Sequence, residues 1–381
     1  MAVPSSEETT INLAPKSSED EIDNDELTSL KGLSLNNNDP VSRATQRQSS
    51  ICPVPMAGGS AHGSNNNRKS IAGANQNKGE GYAVVDKSCC CASCGIAEID
   101  DIKLKECDGC DLVRYCSDEC QKSHKSEHEV ACKKRAAELR DELLFKQPES
   151  THMGDCPICS LPLSLDMSKC SIYPCCSKII CDGCNYANQW RQFEQRLVQL
   201  CPFCRKSLPS TQEDFDQQRM KRIEMNDPAA MCYEGVEQRK KGNYSRAFHY
   251  WKKAAELGDV EAHYRMAGMY QNGYGVEQDE GKMIHHAEEA AIGGHPIARY
   301  NLGCHENDNG NIERAVKHWY ISATHGHDLS TKALMKAFQH GFLEKEVLAA
   351  AFRAHKAAVD AVKSPQREEA EVLSSNYHRK F

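Results

Sequence analysis

Long apolar runs are absent from this chain of 381 residues. None approaches the roughly 18 residues that a membrane-spanning helix needs, so no membrane association is expected. A secretory route is not expected either: the segment from Met1 to Leu30 holds eight acids and one lysine, with no basic n-region and no apolar h-region. The expected location is therefore intracellular, in cytoplasm or nucleus, where thiols stay reduced. Excess positive charge is also lacking, with a formal net charge of -7 and a pI near 6.2. Such a chain has no basic footprint for gripping phosphates, and nucleic acid is an unlikely partner. Hydrophobic side chains make up 39% and aromatics 7%, which argues against one large domain.

Cysteine, by contrast, is abundant. The chain has 21, of which 18 lie between positions 89 and 204. The first cluster runs Cys91-x2-Cys94, Cys107-x2-Cys110, Cys116-x3-Cys120 and His128-x3-Cys132. Zinc takes thiolate and imidazole ligands tetrahedrally, and a pair two or three residues apart lets one tight turn present two ligands to one ion. Eight ligands therefore imply two ions. Cys89 and Cys90 read as spectator thiols, and His124 as an exposed polar side chain.

This spacing, with Tyr115 before Cys116 and Gln121 after Cys120, resembles the MYND zinc finger. The resemblance implies that Cys91, Cys94, Cys116 and Cys120 share one zinc, while Cys107, Cys110, His128 and Cys132 share the other. About forty residues are too few to bury a core, so the metals must substitute for it.

A second cluster follows: Cys156-x2-Cys159, adjacent Cys175 and Cys176, Cys181-x2-Cys184 and Cys201-x2-Cys204. The strings CPIC, PCC, CDGC and CPFCR resemble an all-cysteine RING finger over residues 156 to 205. The histidine usual in that family would fall at Lys178, and an ammonium cannot ligate zinc; Cys170 is an alternative third ligand to Cys175 or Cys176. Four zinc ions in all are then expected. The resemblance further implies contacts to a ubiquitin-conjugating enzyme at Ile158, Trp190, Pro202 and Arg205. In such ligases the finger does no covalent chemistry and assigns no catalytic residue; it acts by proximity and orientation. The bland alternative makes Ile158 and Trp190 the small core of the finger and Arg205 a solvated cation.

Beyond the fingers a repeat appears. Gly235, Gly242, Asn243, Trp251, Ala255 and Gly258 recur at one constant offset as Gly303, Gly310, Asn311, Trp319, Ala323 and Gly326, and Gly258 maps onto Gly294 in a unit between them. That middle unit, GDVEAHYRMAGMYQNGYGVEQDEGKM, resembles a Sel1-like repeat, a relative of the tetratricopeptide repeat. Three helical hairpins are predicted, with Trp251 and Trp319 in the core and a further helix pair, broken at Gly341, capping the stack. Arrays of this kind bind peptides or partner domains.

The expected fold class is multidomain: a disordered tail (1–85), the first finger with a trailing helix from Lys133 to Phe145 (86–147), the second finger (152–208), an all-α repeat array (228–362) and a short tail (363–381). The first of these tails is polar and poor in aromatics, and its acidic run from Glu19 to Glu26 reads as solvated charge. The trailing helix is expected to space the two fingers. Function narrows to a RING-type ubiquitin ligase recruiting substrates through its repeats, or a non-enzymatic scaffold. Lysine methyl transfer, known where MYND fingers interrupt SET domains, is set aside because helical hairpins occupy the space a methyltransferase sheet needs.

One expectation runs against the family. MYND fingers that take proline-rich peptides flank the ligand with a Gln, matched here by Gln121, and a Trp four residues on, where this chain has Lys125. An ammonium offers no flat apolar wall to a proline ring. Residues 86 to 147 should bind proline-rich peptides weakly or not at all, and Lys125→Trp should strengthen binding; micromolar affinity of the unaltered finger in calorimetry contradicts this.

Overall fold

The structure is a computed structural model that describes residues 90–99 and 101–378, with side chains as far as Leu373. The expected tail at 1–85, its acidic run and Cys89 lie outside the described residues. Contacts divide the described chain at Glu127, into a smaller unit carrying the strands of the first finger and a larger unit carrying the residues from Glu127 onward.

In the smaller unit, strands β1 (Lys105–Glu106) and β2 (Arg114–Tyr115) pair antiparallel. Tyr115, Leu104 and Cys91 form a minimal buried cluster. Helix α1 (Asp118–Leu144) opens within this finger, where Ser117 Oγ accepts from the Cys120 N–H at 3.3 Å as an N-cap. It thus starts at Asp118, well ahead of the expected Lys133, because the cap, not the last ligand, sets the start. Nor does it simply space the fingers. Leu144, at its end, is buried with Ala267, Ala287, Ala291 and Leu302, and Arg140 pairs with Glu288 and Glu289 at 2.8 and 2.9 Å.

The second finger is a hairpin, β3 (Cys170–Tyr173) with β4 (Lys178–Cys181), followed by α2 (Asp182–Glu194). Then come α3 (Gln212–Glu224) and three antiparallel hairpins. These are α4 (Pro228–Lys240) with α5 (Tyr244–Glu256), α6 (Val260–Asn272) with α7 (Glu280–Ile292), and α8 (Pro296–Asp308) with α9 (Ile312–Thr324). Helices α10 (Asp328–Gln339) and α11 (Lys345–Ala361) end the stack. The segment expected as a tail instead forms α12 (Pro365–His378), begun by Ser364 and a proline in the first turn. No helix among the described residues is long and apolar enough to cross a membrane.

The recurrence of glycine with tryptophan has a steric cause. A Cβ on Gly235 would stand 2.4 Å from the Trp251 indole nitrogen, and one on Gly303 2.5 Å from that of Trp319. The first and third hairpins thus each close with an indole against a glycine of the preceding helix, and both tryptophans are buried. Arg299, 1% exposed, donates to the Leu144 and Ala291 carbonyls, each at 2.6 Å. Among the described residues no carboxylate pairs with it, and the buried cation is tolerated because it caps the carbonyl ends of two helices at once.

Burial of histidine sets the pH response. His318, fully buried against Phe145, has no partner at either ring nitrogen among the described residues. Burial first, then Arg299 and Arg314, lowers its pKa to about 3. Burial likewise lowers His295 to about 4, with His152 adding to it. Both folded values lie below the unfolded value of 6.5, so the unfolded chain takes up protons that the folded chain refuses. Stability is complete above about pH 7 and falls as the pH drops through 6.5 toward 4, on the order of 2 kcal/mol per histidine at pH 5. His318→Leu should keep or raise stability at pH 7 and flatten the loss between pH 7 and 5 by about that amount, read from denaturant midpoints. A pH slope equal to the parent's contradicts this.

Candidate metal centres

Three of the Cys-x2-Cys pairs share one backbone solution. Cys91, Cys156 and Cys201 each accept at their carbonyl from the residue four on, namely Gly95 (2.9 Å), Ser160 (2.8 Å) and Arg205 (3.0 Å). Those three residues take left-handed φ of 74°, 54° and 58°. The first Cys of each pair also donates to the residue five on, closing a turn that aims both thiols the same way. Gly95 suits that conformation, whereas Ser160 and Arg205 adopt it at some strain.

The sixteen residues singled out from the sequence fall into four groups of four, each able to hold a metal ion: Cys91, Cys94, Cys116 and Cys120; Cys107, Cys110, His128 and Cys132; Cys156, Cys159, Cys181 and Cys184; and Cys175, Cys176, Cys201 and Cys204. Sulfur separations decide what such groups are. Cys94 to Cys116 is 3.5 Å, Cys116 to Cys120 3.6 Å, Cys159 to Cys181 3.8 Å, Cys176 to Cys201 3.7 Å and Cys204 to Cys175 3.3 Å. A disulfide needs about 2.05 Å. A zinc–sulfur bond of about 2.3 Å makes a tetrahedral edge of about 3.8 Å, so the donor sets fit zinc.

Charge leads to the same place. Crowding by Cys94, Cys120 and Cys91 pushes the Cys116 thiol up to about 12, while backbone N–H groups, outweighing burial, bring Cys91 down to about 6. Burial foremost, with Cys201 and Cys204 adding and a backbone bond at Lys178 opposing, pushes Cys176 up to about 11. Four thiolates that close need a cation between them.

In the first finger, α1 carries Cys120, His124, His128 and Cys132 at intervals of four, one stripe of the helix. The sequence reading of His124 as exposed is corrected: it is half-buried, and its Nδ1 meets the Tyr115 hydroxyl at 3.0 Å. Gln121 donates to Asp108 at 3.2 Å, and Lys125 is exposed.

In the second finger the adjacent Cys175 and Cys176 sit in the turn between β3 and β4, where the alternation of a strand no longer turns neighbours to opposite faces. Cys170 lies within β3, paired with Cys181 across the ladder, and its thiol turns toward the Ser164 carbonyl at 3.9 Å. Burial pushes that thiol up to about 12. Cys181 caps α2, its sulfur accepting from the Cys184 N–H at 3.5 Å. Buried Gln192, not singled out from sequence, makes paired bonds to the backbone of Leu200 at 3.0 and 3.1 Å and so holds the Cys201 turn against α2. Ile158, Trp190 and Arg205 are exposed and Pro202 half-buried.

A fifth group, His152, Glu261 and His295, also draws together. His295 Nδ1 accepts from the Ala298 N–H at 3.1 Å, so its proton sits on Nε2 and points at Glu261 Oε2, 3.0 Å away. A metal there would need that proton's place, and the group is a hydrogen-bonded brace instead. Burial alone would raise the Glu261 carboxyl, yet Arg265 and the two histidines hold it well below the usual range.

Comparison with known proteins agrees with the first finger and the array. The chain carries a MYND finger over residues 91–132 and Sel1 repeats over residues 229–259, 260–295 and 296–327. The three repeats end immediately after Gly258, Gly294 and Gly326, the glycines that mark the recurrence in the sequence. A chitin synthase regulatory factor 2 from Schizosaccharomyces pombe is 37% identical over 73 residues, 19% of this chain and 14% of that protein. A Sel1 repeat protein from Oxalobacter formigenes matches at 22% identity over 44% of this chain and 50% of its own, TM-score 0.35. A protective antigen of uropathogenic Escherichia coli with an SLR fold matches at 20% identity over 50% and 42%, TM-score 0.33. This is a zinc-binding, protein-interaction architecture.

Cys170→Ala should leave zinc content unchanged, whereas Cys176→Ala should lose about one equivalent. The reverse result in elemental analysis would exchange their roles.

Proposed function

We propose that the second finger is a RING-type ubiquitin ligase module, that the protein holds four zinc ions, two per finger, and that the repeats recruit the proteins to be modified. The observation that carries this is exposure. Ile158 is 45% and Trp190 43% exposed, so neither serves as the core of the finger, which is built from Leu163, Tyr173, Ile180 and the cysteines. Apolar side chains that take no part in the core of the finger are free to meet a partner. Ile158 and Pro202 lie in the turns closed by the first and last Cys pairs, and Arg205 follows the last ligand with its side chain in solvent. Trp190 continues into Phe193 along α2, their rings 5.9 Å apart. A conjugating enzyme laid on such a surface would have its thioester held for attack, catalysis by orientation with no covalent role for the finger.

The second reading is an interaction scaffold without transfer activity. The fission yeast relative is named a regulatory factor, which agrees with a binding role. An in vitro ubiquitylation assay over a panel of conjugating enzymes separates the two. Chains should form with at least one enzyme, and Ile158→Ala or Arg205→Ala should reduce the rate at least about tenfold with zinc retained, since each removes contact and not ligand. No transfer with any enzyme returns the protein to the scaffold reading.

A further inference from the structure

Helix α12 folds back onto the second finger, some 200 positions away in sequence. The Arg367 guanidinium is the centre of that contact. One of its terminal nitrogens donates to the Pro162 carbonyl at 2.6 Å and the Val362 carbonyl at 2.8 Å, and the other to the Leu161 carbonyl at 3.1 Å and to Cys159 Sγ at 3.4 Å. Gln366 donates to the Gly183 carbonyl at 3.1 Å. Gly183 lies so near that a Cβ there would stand 3.0 Å from the Arg367 backbone. Lys169 and Glu371 close the far end at 2.9 Å, and Ala370 beside Glu371 is buried.

This places a cation that cannot lose its proton against one thiol of the Cys156, Cys159, Cys181, Cys184 group. Four thiolates around a divalent ion leave two negative charges in a nearly buried site, and a charge-assisted N–H to sulfur disperses one of them. The same side chain fixes the Leu161 carbonyl, which accepts from the Cys156 N–H and so closes the turn presenting Cys156 and Cys159, and the Pro162 carbonyl next to it. Among the described residues, the Cys175, Cys176, Cys201, Cys204 group has no guanidinium or ammonium hydrogen-bonded to its sulfurs. Of the second finger's two groups, then, only the first depends on the far end of the chain.

We infer that Arg367 is an outer-shell positioning residue for the Cys156, Cys159, Cys181, Cys184 metal site, and that α12 is an integral part of the second finger. The inference rests on the zinc reading of that group and is independent of ligase activity. The test uses the full chain loaded with zinc. Release to a chromogenic chelator is timed while thiols are alkylated and located by mass spectrometry, for the parent, Arg367→Gln and Arg367→Lys. In the parent, slow zinc release with these four thiols protected establishes the metal itself. With Arg367→Gln, about one zinc equivalent should leave at least about tenfold faster. Cys156, Cys159, Cys181 and Cys184 should be alkylated while Cys175, Cys176, Cys201 and Cys204 stay protected. Arg367→Lys, which keeps the charge and loses the fork, should fall between. Unchanged release, or simultaneous exposure of all eight thiols, overturns the inference; the latter would mean that Arg367 only holds the finger folded.

Discussion

Sulfur atoms held 3.3 to 3.8 Å apart are the constraint on which both fingers depend. That spacing is too wide for a covalent bond and too narrow for uncompensated thiolates. It is set by local backbone: a left-handed residue after the pair, a carbonyl turned back over it, and a short hairpin that lets two consecutive cysteines converge. Without a cation at the centre, little else would hold the first finger, whose buried cluster amounts to Cys91, Leu104 and Tyr115. The repeat array has the opposite economy, with indoles on glycines, alanine-lined interfaces and a buried arginine capping two helices.

The two kinds of stability meet in the larger unit. The segment leading into the second finger lies on the repeats, where the His152 N–H donates to the Gly294 carbonyl at 3.0 Å and its ring stacks on His295 at 4.1 Å. A side chain on Gly294 would collide with the Ser150 carbonyl at 2.7 Å, so the approach requires glycine there. At its other side the finger is gripped by α12, which leaves the end of the array after a short turn. The finger is therefore held at two places rather than hung from one linker, while Ile158, Trp190 and Arg205 stay open to solvent. That arrangement suits a module that must present one face at a fixed distance from whatever the repeats bind.

What was legible in the sequence was whatever is local or periodic. Ligand spacing encodes the turn that presents the ligands, and the recurrence of Gly235 with Trp251 as Gly303 with Trp319 encodes the hairpin interface. Contacts between distant segments carry no such signal: nothing in the spacing tells that Arg367 meets Cys159, that Leu144 is buried under the repeats, or that Tyr115 holds His124. Two helix starts do carry a local signal. Ser117 ahead of Asp118-Glu119, and Ser364 ahead of Pro365, are both N-terminal helix signals, and they account for the early start of α1 and for the helix in place of the expected short tail. The choice between Cys170 and the Cys175–Cys176 pair could not be made from spacing, because it depends on where β3 stops and the turn begins.

X-ray absorption at the zinc edge tests the metal account most directly, because it reads the atoms around the ion rather than the fold. The four groups contain fifteen sulfurs and one nitrogen, so the average shell should be almost wholly sulfur at about 2.3 Å, with a nitrogen share of about one in sixteen at about 2.0 Å. A shell dominated by oxygen or nitrogen, or protein whose cysteines pair at the covalent sulfur distance, would contradict it.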